Sequence, residues 1–300
     1  MKIFRNTVLL LILPITLLTA DNAQAINQLD FSSLVNDFME EDNALKRTIN
    51  LSGKQRMLTQ RMSKLALQIS LNVQKDDSIE KLKKFSELYS KTLAAFKSGD
   101  NDLGVKKATN TKVIEQISVI EKVWQPFEKH IKTITSGKDH GESLAYIISN
   151  NEKVLGLSNE LVQCYESSNT SSNYLEKARL RVVNVAGRQR MLTQKMTKEK
   201  LLLLKAKKEY RKKLEGTIKL FDTSLNTLIK GDKTQNISKP TNEKIINQLK
   251  IVSMMWSKLK PLYLKKKNSA KELAMIISKN TVLLKEMNAM VKMAEKEVEY

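Results

Sequence analysis

The segment NLSGKQRMLTQRMSK at residues 50–64 returns as NVAGRQRMLTQKMTK at residues 184–198. Ten of the fifteen positions are identical and the other five are conservative. A repeat this sharp, 134 residues apart, constrains the fold more than any other feature. The chain reads as one module used twice, with an arginine at the centre of each copy.

The repeat extends beyond that segment. Leu144-Ala-Tyr-Ile-Ile-Ser-Asn-Asn151 returns as Leu273-Ala-Met-Ile-Ile-Ser-Lys-Asn280, Gly99-Asp100 returns as Gly231-Asp232, and Trp124 returns as Trp256. The offset drifts from 134 to 132 to 129, as expected when small deletions accumulate in one copy. Three parts follow: a leader at 1–25, a first unit at 26–168 and a second at 169–300. Each unit has a comfortable length for one core.

Strand signals are few, only four prolines occur, and long stretches carry a helical period. In the first motif Leu51, Leu58, Met62, Leu65 and Ile69 follow the 3-4 spacing of a helix stripe. Glycine-rich breaks at Gly99–Gly104 and Gly137–Gly141 interrupt the pattern. Helices are predicted at 30–74, 78–98, 111–135 and 141–168, then at 172–208, 209–230, 241–266 and 268–300. Short connections favour antiparallel neighbours, so the predicted fold is all-α: two tandem up-down four-helix bundles. Pro126 is expected to kink or end its helix. Trp124 and Trp256 are read as core residues.

The N-terminus carries Lys2 and Arg5, an apolar run from Val8 to Leu18, and Ala23-Gln24-Ala25. That is the pattern of a cleaved secretory signal, with maturation near Ile26 and a periplasmic product. The apolar run is short for a membrane span, so no stable membrane insertion of the mature chain is expected. A single cysteine, Cys164, excludes an intrachain disulfide and is read as a buried small hydrophobe. Net charge is +20, and +19 once Lys2, Arg5 and Asp21 are removed. Export and an aromatic content of 5% argue against nucleic acid as the partner. The lysines are spread along every helix and read as solvated faces.

Arginine is distributed differently. Of nine arginines, seven fall in two windows: Arg47, Arg56 and Arg61, then Arg179, Arg181, Arg188 and Arg190. The planar guanidinium fork matches planar oxyanions in a way that an ammonium does not. On a helix Arg56 shares a face with Gly53, Thr59 and Gln60, and Arg190 with Gly187, Thr193 and Gln194. These eight residues form the predicted ligand site. A glycine inside a helix costs roughly 0.5–1 kcal/mol relative to alanine, so two of them at matched positions point to a close approach. No Asp or Glu occurs between Asp42 and Asp76, nor between Glu176 and Glu199. The only repeat-matched acids are Asp42/Glu176, Asp100/Asp232 and Glu166/Glu295, all distant in sequence from the arginines. A partly buried guanidinium needs an anion or acceptors, and an external oxyanion is the natural candidate. Solvent exposure, or pairing with Glu115, Glu121 or Glu152, is the competing reading. His130 and His140 have no partners at metal-ligand spacing, so neither a metal nor a cofactor is expected. No nucleophile–base pair is visible either, and no enzymatic activity is expected.

The pattern Asn-x-x-Gly-x-Gln-Arg-Met-Leu-Thr-Gln-(Arg/Lys)-Met resembles the first helix of PilJ-type domains. These are the N-terminal sensor domains of type IV pili chemotaxis transducers and of NarX-like nitrate/nitrite sensors. The resemblance implies a four-helix bundle in each unit. In the nitrate-sensing relatives the motif arginine binds nitrate between two such helices at a dimer interface. Carried over by motif position, it corresponds to Arg56 and Arg190, with Gly53 and Gly187 as the motif glycines. It implies a sensor-type protein that binds a small oxyanion, nitrate or nitrite first, and feeds a membrane receptor. The rival expectation is a structural bundle docking on a membrane receptor or acidic protein partner without a small ligand. The duplication adds one geometric question. Bundles stacked end to end through 167–173 keep the arginines tens of ångströms apart; a sharp bend there lets the two motifs meet in one chain.

Overall fold

In the first repeat, polar caps and glycines set the ends of the helices. The computed structural model describes residues 44–168 and 174–296. The leader, the start of the predicted first helix at 30–43 and the junction at 169–173 lie outside the described residues. Helix α1 spans Ala44–Ser70, α2 Lys75–Ser98, α3 Thr111–Thr135 and α4 Glu142–Ser168. The second repeat gives α5 Tyr174–Leu204, α6 Tyr210–Lys230, α7 Glu243–Leu264 and α8 Ala270–Lys296. A short 3-10 turn lies at Lys233–Gln235.

The capping chemistry repeats with the sequence. Asn110 accepts from the backbone N–H groups of Lys112 and Val113 at the start of α3. Asn242 accepts from Lys244 and Ile245 at the start of α7. Each satisfies two of the donors that a helix start leaves open. Ser269 and Glu272 cap the start of α8 reciprocally, the side chain of each accepting from the backbone of the other. Gly99 (φ 83°) ends α2 and Gly231 (φ 77°) ends α6. The chain then turns through a single antiparallel bridge, Asp100 with Val105 and Asp232 with Ile237.

Within each repeat the four helices pack in a ring, α1–α2–α3–α4 and α5–α6–α7–α8. That is the all-α architecture expected from the sequence. The two rings are joined by α1 against α5, and the described residues form one compact unit. The motif helices therefore meet side by side, and the end-to-end arrangement is excluded. Because α1 is enclosed by α2, α4 and α5, every side chain from Arg47 to Gln68 is buried.

Trp124 and Trp256 occupy matched core positions. Trp124 Nε1 donates to Ser90 Oγ at 2.8 Å, and Trp256 Nε1 donates to Asp222 Oδ1 at 2.6 Å. Two sequence expectations are corrected. Helix α3 does not end at Pro126 but continues to Thr135, with the neighbouring Trp124 and Phe127 buried in the core. Cys164 is half-buried, because it sits on the flank of α4 near its end. No helix among the described residues is long and apolar enough to cross a membrane.

Candidate functional site

The two motif arginines come together. Gly53 on α1 and Gly187 on α5 leave room between the central helices, and both guanidinium groups enter it. A Cβ built on Gly53 would lie 3.3 Å from Arg56 Nη2 and 4.0 Å from Arg190 Nη2. A Cβ built on Gly187 would lie 3.2 Å from Arg190 Nη2 and 3.8 Å from Arg56 Nη2. Both nitrogens thus crowd one small volume bounded by the two glycines. Each arginine is only 3% exposed.

The hydrogen bonds obey the repeat. Arg56 Nη2 donates to Asn184 Oδ1 at 2.9 Å, and Arg190 Nη2 donates to Asn50 Oδ1 at 3.0 Å. Asn50 and Asn184 open the two motifs, so each arginine is held by the other repeat. Each also reaches the fourth helix of its own repeat, Arg56 Nη1 to Asn159 Oδ1 at 3.1 Å and Arg190 Nη1 to Asn288 Oδ1 at 3.5 Å. The arrangement is a pseudo-two-fold built inside one chain.

Its electrostatics are uneven. Burial, then the positive charges of Arg188 and Arg190, bring the Arg56 pKa down to about 10. Glu166, at the end of α4, opposes this with its negative charge. Burial raises the Glu166 pKa, while Arg56, Arg188, Arg181 and a hydrogen bond from Asn184 hold it back. Glu166 is therefore an acid whose charge bears on Arg56. Of the acids that spacing suggested, Glu121 pairs with Lys97, and Glu152 with Lys195 and Lys198. Glu115 is exposed, whereas Arg56 is buried.

Thr59, Gln60, Thr193 and Gln194 are buried but lie about a turn further along the helices. Thr59 Oγ1 donates to the carbonyl of Arg56, and Thr193 Oγ1 to the carbonyl of Arg190, each at 2.8 Å. Gln60 and Gln194 donate in turn to those hydroxyls. They support the backbone under each arginine.

Below them lies a second cross-repeat layer, built on lysine and outside the arginine's own helix face. Lys64 Nζ donates to Gln194 Oε1 at 2.7 Å and to Asn280 Oδ1 at 3.3 Å. Lys198 Nζ donates to Asn151 Oδ1 at 2.6 Å and to Glu152 Oε1 at 2.7 Å. Burial raises the Glu152 pKa, but the two lysines overcome it and bring it down to about 2. Lys64, Lys198, Asn151 and Asn280 were visible as the conserved ends of the two repeated segments. Among the described residues no group of three or more His, Cys, Asp or Glu side chains is placed to hold a metal ion.

Residues 38–147 and again residues 176–277 match the family of type IV pili methyl-accepting chemotaxis transducer N-terminal domains, PilJ. No curated protein and no solved structure matches the chain significantly. The two segments cover most of the chain, which therefore belongs to the PilJ family, as a tandem pair of sensor-type helical domains of the kind found in chemotaxis transducers.

Proposed function

We propose that this chain is a periplasmic sensor-type protein that binds one small planar oxyanion, nitrate or nitrite first, between Arg56 and Arg190. The observation that carries the reading is the meeting of these two guanidinium groups over Gly53 and Gly187. NarX-like sensors use two identical chains to bring two motif helices to an axis; here α1 and α5 do so within one polypeptide.

The chemistry follows from the donor set. Two like charges in a buried space repel, and burial first, then the charges of Arg188 and Arg190, lower the Arg56 pKa. An anion between them removes the repulsion and accepts from both forks. In this mechanism it takes the place of Asn184 Oδ1 on Arg56 Nη2 and of Asn50 Oδ1 on Arg190 Nη2. The amides then turn to the anion's remaining oxygens or to solvent. Since each displaced contact joins one repeat to the other, binding changes how α1 and α5 are coupled. That displacement is the signal such a protein would pass to a membrane receptor. The twin-domain leader at 1–25 directs export in this account.

A second reading is favoured by a specific observation. Arg56 Nη1 and Nη2 each already have an amide acceptor, as a ligand-free polar core requires. In that case the bundle docks on a membrane receptor or an acidic protein and the arginines only set the pairing of α1 with α5. Calorimetric titration with nitrate, nitrite, sulfate and chloride separates the two. The sensor reading expects saturable heat with nitrate or nitrite, and at least a tenfold weaker affinity in Arg56→Lys and in Arg190→Lys. Lysine keeps the charge but loses the fork, and a charged hydrogen bond contributes roughly 1.5–3 kcal/mol. Unchanged affinity in both variants, with intact helices by circular dichroism, contradicts the site.

A further inference from the structure

A cavity of about 1270 Å³ opens at the end of the first bundle, where α1 stops and α4 begins. It lies about 15 Å along α1 from Arg56, at 1.5 Å per residue. Ala66, Ile79, Ile134 and Leu144 line it from the first repeat, and Leu202 and Tyr210 from the second. A Cβ on Gly137 or Gly141, which also border it, would meet nothing within 4 Å.

The second repeat shows what chemistry belongs in this place. The counterpart of Ala66 is Lys200, by the 134-residue offset of the motif, and the counterpart of Ile79 is Arg211, by the 132-residue offset of α2 and α6. Those two side chains run to the end of α7. Lys200 Nζ donates to the carbonyls of Tyr263 at 3.1 Å and Lys265 at 2.6 Å. Arg211 donates to the carbonyls of Leu264 and Lys266, each at 3.4 Å. Two aliphatic stems with cationic heads thus fill the space and meet the negative end of a helix. In the first repeat the stems are cut back to Ala66 and Ile79, and α3 closes on its own backbone at Gly137 (φ 76°). The volume those two side chains would occupy is open.

The charges around the opening are mixed. Asp139, Glu142 and Glu209 border it, as do Lys75, Lys205, Lys207 and His140. Asp139 caps α4 through the N–H groups of Gly141, Ser143 and Leu144. Lys205 Nζ is turned to Ser70 Oγ at 2.5 Å. Glu142 and Glu209 remain to meet a cationic head.

We infer that this cavity is a second ligand site, and that it takes an aliphatic organic cation, an amine or guanidine on a short apolar stem. The ligand supplies in the first repeat what Lys200 and Arg211 supply in the second. Because Leu202, Lys205, Lys207, Glu209 and Tyr210 complete the wall, its occupant touches both repeats.

The test uses the full mature chain and two probes, agmatine and cadaverine, with hexanoate as the anionic control. The inference expects saturable calorimetric binding of at least one cationic probe and none of hexanoate. Ile79→Arg, at a half-exposed position, installs the side chain of the second repeat and should weaken that binding at least tenfold. Ala66→Lys should do the same, and circular dichroism verifies that both variants fold. Arg56→Lys should leave cation binding unchanged, which keeps this site distinct from the oxyanion site. Absence of binding by either cation, binding of hexanoate as tight as theirs, or full affinity in Ile79→Arg overturns the inference.

Discussion

Replacing Gly187 with alanine separates the stability of the central helix pair from the anion binding proposed for it. The added Cβ would stand 3.2 Å from Arg190 Nη2 and 3.8 Å from Arg56 Nη2. Both neighbours are the far ends of flexible side chains, so a retreat of a few tenths of an ångström relieves the contact. That retreat lengthens the 3.0 Å bond from Arg190 Nη2 to Asn50. Complete loss of such a charged hydrogen bond costs roughly 1.5–3 kcal/mol, and only part of it is lost here. Against this, alanine in a helix interior is favoured over glycine by about 1 kcal/mol. The two effects nearly offset, so Gly187→Ala should stay within about 1 kcal/mol of the parent, a melting shift of roughly 2–4 °C at most. The methyl nevertheless occupies the volume proposed for the anion. Nitrate affinity should fall at least tenfold, equivalent to about 1.4 kcal/mol. Gly53→Ala, with its Cβ 3.3 Å from Arg56 Nη2, should behave alike. Scanning calorimetry and nitrate titration read the two quantities separately. Parent-like nitrate affinity in both variants would refute the role given to the glycines, and a loss of several kcal/mol would refute the packing argument.

Glu199 is completely buried on α5, where the first repeat has the apolar Leu65. Burial raises its pKa to about 7, and Lys198, Lys195 and Thr217 counter this only in part. A folded pKa above the ordinary 4.5 means that the native state binds the extra proton, so stability falls as pH rises from about 4.5 to about 7. The full effect is about 3 kcal/mol at 1.36 kcal/mol per pKa unit, so Glu199→Leu should stabilise most at pH 8 and progressively less toward pH 4.5 in urea unfolding. A pH-independent difference between variant and parent contradicts this. Glu166, whose pKa is also raised, lends its negative charge to Arg56 and accepts from Asn184. Nitrate should therefore bind more tightly as pH falls and Glu166 is neutralised, and Glu166→Gln should bind more tightly at pH 8 with a flatter pH profile. Titrations at pH 5, 6, 7 and 8 decide it, and equal affinities for parent and variant at pH 8 count against it.

The repeat, the helices and their ends were legible because each rests on local chemistry. Asn110 and Asn242 stand directly before their helices, and Gly99 and Gly231 directly after theirs. The predicted starts and stops of α2, α3, α4 and α6 fall within a few residues of the observed ones. Long-range pairing was not legible in this way. The stripe of Leu51, Leu58 and Met62 suggested an amphipathic helix, yet α1 is buried on every side, because α5 covers its polar face. Polar residues on that face therefore read as surface or ligand-facing, whereas many satisfy one another across the pseudo-two-fold. Asn159 and Asn288 were missed as arginine partners because they lie on the fourth helix, outside the motif and more than ninety residues from the arginine they hold. Glu166 was seen as a repeat-matched acid, but its distance in sequence hid its approach to Arg56. The helix continues past Pro126 because local preference gives way to the buried residues flanking it.

The central claim is that one chain builds a single shared oxyanion site from its two repeats. The stoichiometry of nitrate binding by isothermal titration, with the mass of the protein followed by sedimentation in the same buffers, tests it most directly. The account predicts one nitrate per chain and a mass that nitrate leaves unchanged, with either Arg56→Lys or Arg190→Lys weakening that one site. Two nitrates per chain, nitrate-driven dimerisation, or no binding at all would contradict it.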